Sequence, residues 1–220
     1  MPVPIQPGDP EQVRDLFDRI APAYDTLNDL LSLGLHRLWK RQAMAWLAPR
    51  PGQRLLDLCC GTGDLALVLA EKVRPGGLVL GIDAAAAPLV RARERAARQP
   101  WLPLEFCQGD AAATGLADGW ADAAVMAYGL RNLPDPAAGL QELRRLLRPG
   151  GRAAVLDFNR PADAQGGTAG LEDQYAYLER SLARFPTGSE QEALAAAAGF
   201  ARARHRLLAG GQMGLLELVA

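Results

Sequence analysis

Arg54-Leu55-Leu56-Asp57-Leu58-Cys59-Cys60-Gly61-Thr62-Gly63-Asp64-Leu65-Ala66 is the stretch whose reading decides the fold. Arg54 to Cys59 reads as a buried strand, and Leu65 to Val73 reads as a helix. Between them, Gly61, Gly63 and Ala66 give a G-x-G-x-x-A spacing. Glycine lacks a Cβ, so this turn lets the backbone lie close to a ligand at the start of a helix. Taken alone, the pattern fits any nucleotide-like cofactor.

Downstream, short apolar runs alternate with helical patterns. Strands are expected at Leu78 to Ile82, Leu104 to Cys107, Ala121 to Ala127, Arg152 to Phe158, Ala203 to Leu208 and Met213 to Val219. Helices are expected at Ala86 to Ala97, Ala137 to Leu147, Gln174 to Ala183 and Glu190 to Ala198. Arg148-Pro149-Gly150-Gly151 reads as a turn, and residues 159 to 171 as a polar loop. Such alternation predicts a doubly wound, Rossmann-like α/β fold with a mostly parallel seven-stranded sheet. Upstream, Val13, Leu16, Phe17 and Ile20 recur at helical spacing, with Asp9 or Asp18 as cap candidates. Leu27 to Leu35 is a leucine-rich patch, and His36 to Leu47 forms another helical pattern. Residues 1–50 are therefore read as an N-terminal helical arm and residues 51–220 as the α/β core.

Charge placement narrows the cofactor. Asp57 lies four residues before Gly61, and Asp83 lies 20 residues after Gly63 at the end of the second strand. Asp110, in Gly109-Asp110-Ala111, follows the third. Asp83 can accept two ribose hydroxyls. Asp57 would repel a pyrophosphate but attract a ligand ammonium, and Asp110 can face an adenine amino group. Either Asp57 or Asp110 alone could be a helix cap. The three together favour S-adenosyl-L-methionine over a dinucleotide.

The chain of 220 residues carries a net charge of −1, so no global field draws it to nucleic acid or an anionic membrane, and no nucleic-acid partner is expected. No apolar run approaches the ~18 residues that a membrane span needs. The first ten residues lack a signal-peptide core. Cys59, Cys60 and Cys107 match no zinc spacing, and the adjacent pair would point to opposite faces of a strand, so neither a metal nor a disulfide is expected. A reducing, cytoplasmic-type compartment follows.

Tyr24-Asp25-Thr26-Leu27-Asn28-Asp29-Leu30-Leu31-Ser32-Leu33-Gly34-Leu35-His36-Arg37-Leu38-Trp39-Lys40 resembles the signature of the quinone-ring C-methyltransferases, which act on ubiquinone and menaquinone precursors. The resemblance continues through Gly61-Thr62-Gly63-Asp64, Gly81-Ile82-Asp83, Gly109-Asp110-Ala111, Tyr128-Gly129-Leu130-Arg131-Asn132 and Leu147-Arg148-Pro149-Gly150-Gly151-Arg152. Leu156 to Pro161, Tyr175-Ala176-Tyr177-Leu178, Arg184-Phe185-Pro186-Thr187-Gly188 and Gly210 to Gly214 are similar to the cyanobacterial and plastid branch, which carries out the last methylation of phylloquinone. The resemblance implies a class I methyltransferase fold. It also implies S-adenosyl-L-methionine as cofactor and a 2-phytyl-1,4-naphthoquinol acceptor, with a demethylmenaquinol or ubiquinone precursor as alternative. A catalytically impaired cofactor-binding member of a quinone-synthesis complex is a third reading, because the segment between Pro161 and Tyr175 is shorter than in relatives. By the same resemblance Thr62, Asp83, Asp110 and Ala111 are carried over as cofactor contacts, joining Asp57, Gly61 and Gly63. Where relatives often have a serine before the Gly-Leu-Arg-Asn segment, this chain has Ala127 or Tyr128.

Methylating a ring carbon needs a base for the ring hydroxyl and a donor for the phenolate oxygen. Arg131 and Asn132 are the candidates for holding ring oxygens, although Arg131 can instead pair with a carboxylate such as Asp157. His36 has the right unperturbed pKa for a base, against the alternative of a structural group beside leucines. Tyr24 or Tyr128 can donate to a quinone oxygen. A lipid quinol suits the leucine-rich arm, and peripheral contact with a membrane follows as an expectation. A homodimer is left open.

Overall fold

The computed structural model describes residues 5–20, 35–160 and 172–220. The helices are α1 (Pro10–Ile20), α2 (His36–Leu47), α3 (Asp64–Lys72), α4 (Ala86–Ala97), α5 (Pro136–Leu146), α6 (Glu172–Arg184) and α7 (Gly188–Ala197). The strands are β1 (Arg54–Leu58), β2 (Leu78–Asp83), β3 (Leu104–Gln108), β4 (Ala121–Ala127), β5 (Leu147–Phe158), β6 (Arg202–Leu208) and β7 (Met213–Val219). They form one seven-stranded sheet in the order β3-β2-β1-β4-β5-β7-β6. The first five strands run parallel, and β7 lies antiparallel between β5 and β6. The doubly wound expectation holds.

Strand periodicity sorts the core into two layers. Leu55 of β1, Val125 of β4 and Leu215 of β7 face the cluster built on α2 and α3. Their neighbours Leu56, Leu58, Met126 and Leu216 face the cluster built on α5 and α7. Asp57 therefore shares the face of Leu55, under α3. On α2 the buried stripe is His36, Trp39, Ala43 and Leu47, the spacing of one helical face. Trp46 anchors the same helix by donating its indole N–H to the Ala153 carbonyl of β5 at 3.0 Å. On α5, Leu140, Leu143 and Leu146 are fully buried, each contributing about 1.5–3 kcal/mol by removal from water.

Two local details depart from the sequence expectation. Leu147 already pairs with Ala121, and pairing resumes only where Arg152 meets Ala123. The Arg148–Gly151 turn is thus an excursion within β5 rather than its boundary, with Gly150 at φ 75°. Asp9 does cap α1, accepting the Gln12 N–H at 3.1 Å. Asp18, by contrast, reaches away from its own helix and accepts the Ala87 N–H at the start of α4, at 2.8 Å. α4 has no side-chain cap of its own at Ala85, so α1 supplies one.

The strand order reverses between β1 and β4, the switch point at which α/β sheets open a crevice at their carboxyl ends. That crevice holds the site.

Candidate active site

After β1 the chain turns through Cys59 at φ 56°, Gly61 at φ 54° and Gly63 at φ 80° before entering α3. Gly63 is required by packing as well as by its backbone angle: a Cβ there would lie 2.7 Å from the Phe106 ring. At Gly61 a Cβ would meet nothing within 4 Å, so the outer face of the turn is open to a ligand. Just after β4, Tyr128 is also left-handed, at φ 62°. Two non-glycine residues in this region, at the ends of adjacent strands, cost on the order of 1–3 kcal/mol each and mark a site held by its surroundings. Gly129 completes the fit, because a Cβ there would fall 2.6 Å from Cys59 Sγ.

A cavity of about 400 Å³ spans the strand ends, with Gly61, Asp83, Asp110, Ala111, Tyr128 and Asn132 on its walls. Asp83 takes the Gly61 N–H on Oδ2 at 2.7 Å and the Ala85 N–H on Oδ1 at 2.9 Å. Each carboxylate oxygen has a second lone pair, so both stay able to accept a ribose hydroxyl. Burial raises the Asp83 pKa, against those backbone N–H groups. Asp110 Oδ1 accepts the Ala112 N–H at 2.8 Å, and Ala111 is buried beside it.

A niche of about 30 Å³ adjoins the cavity, sharing Cys59, Gly61, Ala127 and Tyr128 and adding Asp57, Thr62 and Lys40. Asp57 is 2% exposed, and its Oδ2 has no hydrogen-bond partner. Burial raises its pKa from 3.8 to about 7, with Lys40 and the Ala66 N–H opposing the rise. A buried carboxylate oxygen without a partner wants a cation. An ammonium-bearing, ribose-bearing cofactor therefore fits this donor and acceptor set, whereas a pyrophosphate does not. Burial also pushes the Cys59 thiol well above its ordinary value, so it stays neutral. Thr62 is tied into an outer network: Arg95 donates to its carbonyl at 3.0 Å and its hydroxyl at 3.2 Å. The same guanidinium pairs with Asp64 at 2.6 Å, which Lys40 also meets at 3.1 Å. Burial alone would raise Asp64, but Lys40 and Arg95 bring it below the usual value.

Of the acceptor-side candidates, Asn132 lines the cavity. Its Nδ2 donates to the Tyr128 carbonyl at 2.9 Å, and its Oδ1 accepts the Tyr177 hydroxyl at 2.8 Å. Arg131 does not stand on the cavity wall. Its guanidinium is buried against Asp157 Oδ1 at 2.5 Å and the Tyr128 carbonyl at 2.9 Å, with the Phe158 ring 5.2 Å away. The alternative weighed from sequence, a pair with Asp157, is the arrangement found. His36 is also off that wall: buried at the start of α2, it borders a depression with Arg41, Leu67 and Glu71 that shares Lys40, Asp64 and Leu65 with the niche. His36, a base candidate from sequence, is therefore not among the residues that line the cavity. Tyr24 and the leucine-rich patch from Leu27 to Leu33 lie outside the described residues, as do residues 161–171 of the shortened segment.

From sequence, α1 falls in a helical arm for the substrate, but none of its residues is singled out as lining a site. Val13 and Phe17 of α1, two residues of its apolar stripe, line the cavity together with Arg14. Tyr177 was legible only as part of a motif, since its role depends on a partner 45 residues away.

Comparisons with known proteins now bear on this geometry. A model of the ubiE/COQ5 methyltransferase family matches residues 6–169. The chain is 47% identical to 2-phytyl-1,4-naphtoquinone methyltransferase of Synechococcus elongatus, covering 96% of this chain and 98% of that protein. It is 42% identical to the chloroplastic 2-phytyl-1,4-beta-naphthoquinone methyltransferase of Arabidopsis thaliana, covering 92% and 85% respectively. Among solved structures, a SAM dependent methyltransferase from Aquifex aeolicus superposes with a TM-score of 0.66 at 20% identity, covering 96% of this chain and 98% of that one.

Proposed function

The chain belongs to the ubiE/COQ5 methyltransferase family, and on that premise we propose that it methylates a ring carbon of a reduced phytyl- or prenyl-naphthoquinone, 2-phytyl-1,4-naphthoquinol foremost. The named relatives support the acceptor. The observation that carries the cofactor reading is the row of carboxylates Asp57, Asp83 and Asp110 at successive strand ends, the first with a buried, unpartnered oxygen. S-adenosylmethionine, when bound, supplies an electrophilic methyl group on a sulfonium leaving group, so no metal is required.

This chain's residues then have distinct tasks. Asp57 holds the ammonium, Asp83 the ribose hydroxyls and Asp110 the adenine edge. The Gly61–Gly63 turn brings backbone against the ligand without a Cβ in the way. Val13 and Phe17 on α1, with Tyr128 and Leu133 opposite, exclude water from the reacting carbon. Asn132 donates to a ring oxygen and steadies the phenolate that makes the ring carbon nucleophilic. The hydroxyl proton passes to water at the ring oxygen, and the hydrogen on the methylated carbon leaves as a proton when aromaticity is restored. Arg131 acts at one remove, holding the Leu130–Asn132 turn to β5 through Asp157. The division at residue 50 belongs to this reading, with residues 1–50 as the arm that covers the acceptor.

Incubation of the protein with methyl-labelled S-adenosylmethionine and reduced 2-phytyl-1,4-naphthoquinone tests the proposal. Label should enter the reduced quinone and not its oxidised form. Cofactor binding without transfer to any reduced naphthoquinone would instead favour the catalytically impaired alternative.

Contact with a bilayer is the finer part of the same reading. None of the described helices is long and apolar enough to cross a membrane. Leu35 and Leu38 are about half exposed beside the exposed Arg37 and Arg41 on α2, a pairing of apolar and cationic groups suited to an anionic lipid surface. Co-sedimentation with anionic liposomes should be weakened by Leu38→Asp, and an unchanged bound fraction would count against it.

A further inference from the structure

Asn132 is held in one of its two amide orientations by a carbonyl of its own turn and by a hydroxyl from a separate helix, α6. Its Oδ1 accepts from Tyr177 and one Nδ2 hydrogen goes to the Tyr128 carbonyl. A flipped amide would set Oδ1 against that carbonyl, two acceptors facing each other. The second Nδ2 hydrogen is not used by either bond and is left as a donor for the cavity that Asn132 lines. Asn132 and Tyr177 are both buried, at 8% and 4% exposure, so water does not readily substitute for either bond.

The helix that carries Tyr177 is itself fixed to this corner. Arg184, at the end of α6, donates to the Leu133 carbonyl and, at 3.1 Å, to the Pro134 carbonyl. It also donates to the Pro7 carbonyl just before α1. One helix thus grips the turn bearing Asn132, the loop beyond it and the entry to α1. Burial raises the Tyr177 pKa, which keeps the phenol protonated and able to donate.

We infer that Tyr177 is a positioning residue for methyl transfer: it locks the Asn132 amide so that the cavity presents a hydrogen-bond donor to an oxygen of the reduced quinone ring. The inference rests on the naphthoquinol reading above. It goes beyond that reading by making the preference for an oxygen about to carry negative charge a property of α6, outside the cavity wall.

A double-mutant cycle with Tyr177→Phe and Asn132→Ala tests it. Tyr177→Phe keeps the ring and its packing and removes only the hydroxyl. Its kcat should fall about tenfold, less than the 10²–10³-fold loss typical when such a donor is deleted outright. The cofactor Kd should stay within about twofold, because no cofactor-side group is touched. In the Asn132→Ala background the same change should leave kcat unaltered. An unchanged kcat in the single variant, or an equal loss in both backgrounds, would overturn the inference, the latter by showing a merely structural role.

A second measurement keeps this separate from the failure of the functional reading. In cofactor-bound protein, the ¹⁵N relaxation of the Asn132 side-chain amide should report a rigid group that becomes mobile in Tyr177→Phe. If wild type transfers no methyl to naphthoquinols, the functional reading fails while the amide still reports on the lock. If the amide is equally rigid in both proteins, the lock fails whatever the activity.

Discussion

Replacing Asp57 with asparagine removes one buried negative charge and keeps the side chain's size. Asp57 is almost completely enclosed, and burial, opposed by Lys40, carries its pKa from 3.8 to about 7. That rise of about 3 units corresponds to about 4 kcal/mol between the neutral and ionised forms, at 1.36 kcal/mol per unit. The folded value lies above the unfolded one, so the neutral carboxyl's contribution is complete below pH about 4. It is lost as pH rises through about 7. Above that, the cofactor-free protein carries the whole cost of the buried anion.

Asparagine cannot ionise, and any packing or hydrogen-bond difference it introduces does not vary with pH. Denaturant unfolding of both cofactor-free proteins between pH 4 and 8 should therefore show the variant gaining on wild type as pH rises, by up to about 4 kcal/mol. Calorimetric titration with S-adenosylmethionine gives the opposite ranking. With a pKa of about 7, Asp57 is ionised in about 3% of molecules at pH 5.5 and about three quarters at pH 7.5. Wild-type affinity should thus tighten about 25-fold over that range, whereas the variant should bind about 10- to 100-fold more weakly at pH 7.5, with a flat profile. A stability difference independent of pH, or a wild-type Kd that ignores pH, would refute the placement of the ammonium at Asp57.

The two turn glycines should respond differently to alanine. Gly63→Ala drives a Cβ to within 2.7 Å of Phe106 and should cost about 2–4 kcal/mol in unfolding experiments. Gly61→Ala should cost only about 1–2 kcal/mol while weakening cofactor affinity, and equal behaviour in both assays would argue against an open cradle at Gly61. Arg131→Met strands Asp157 in the core and should destabilise by about 3–5 kcal/mol, with much of the loss recovered in Arg131→Met/Asp157→Leu. A loss below about 1 kcal/mol in the single variant would contradict the buried pair. His36→Ala should leave kcat within about twofold and the pH–rate profile unshifted, since His36 stands off the cavity wall. Disappearance of a pKa between 6 and 7 from that profile would reinstate it as the base.

The parts that were legible in sequence share a physical feature: their determinants are local. β1, the Gly61–Gly63 turn and α3 follow from a short apolar run, two residues that tolerate positive φ, and a helical pattern. The ends of β2 and β3 follow from the same kind of pattern, which is why apolar periodicity suffices to assign Asp83 and Asp110 to strand ends. Parallel pairing then brings those ends into one row, so three carboxylates scattered over 54 residues, from 57 to 110, become one site.

What remained hidden depends on partners far apart in the chain. Asp18 has the composition of a cap, but the backbone N–H it caps lies 69 residues later, in α4. The stripe of α1 says that one face is covered; it does not say that the covering makes a ligand cavity. Arg131 and His36 show why residue type is a weak guide to role. A guanidinium beside a switch-point strand can serve a substrate or a carboxylate, and only the approach of Asp157 on β5 decides for the carboxylate. An imidazole at the start of α2 can reach the cavity or turn aside, depending on how that helix crosses the sheet. Sequence alone therefore determined the fold, the cofactor class and the strand-end acids, because backbone geometry and apolar periodicity act within a few residues. Tertiary structure alone decided the α1 wall of the cavity, the Arg131–Asp157 pair and the Tyr177–Asn132 lock, because each exists only after the sheet has assembled and the helices have packed on its two faces.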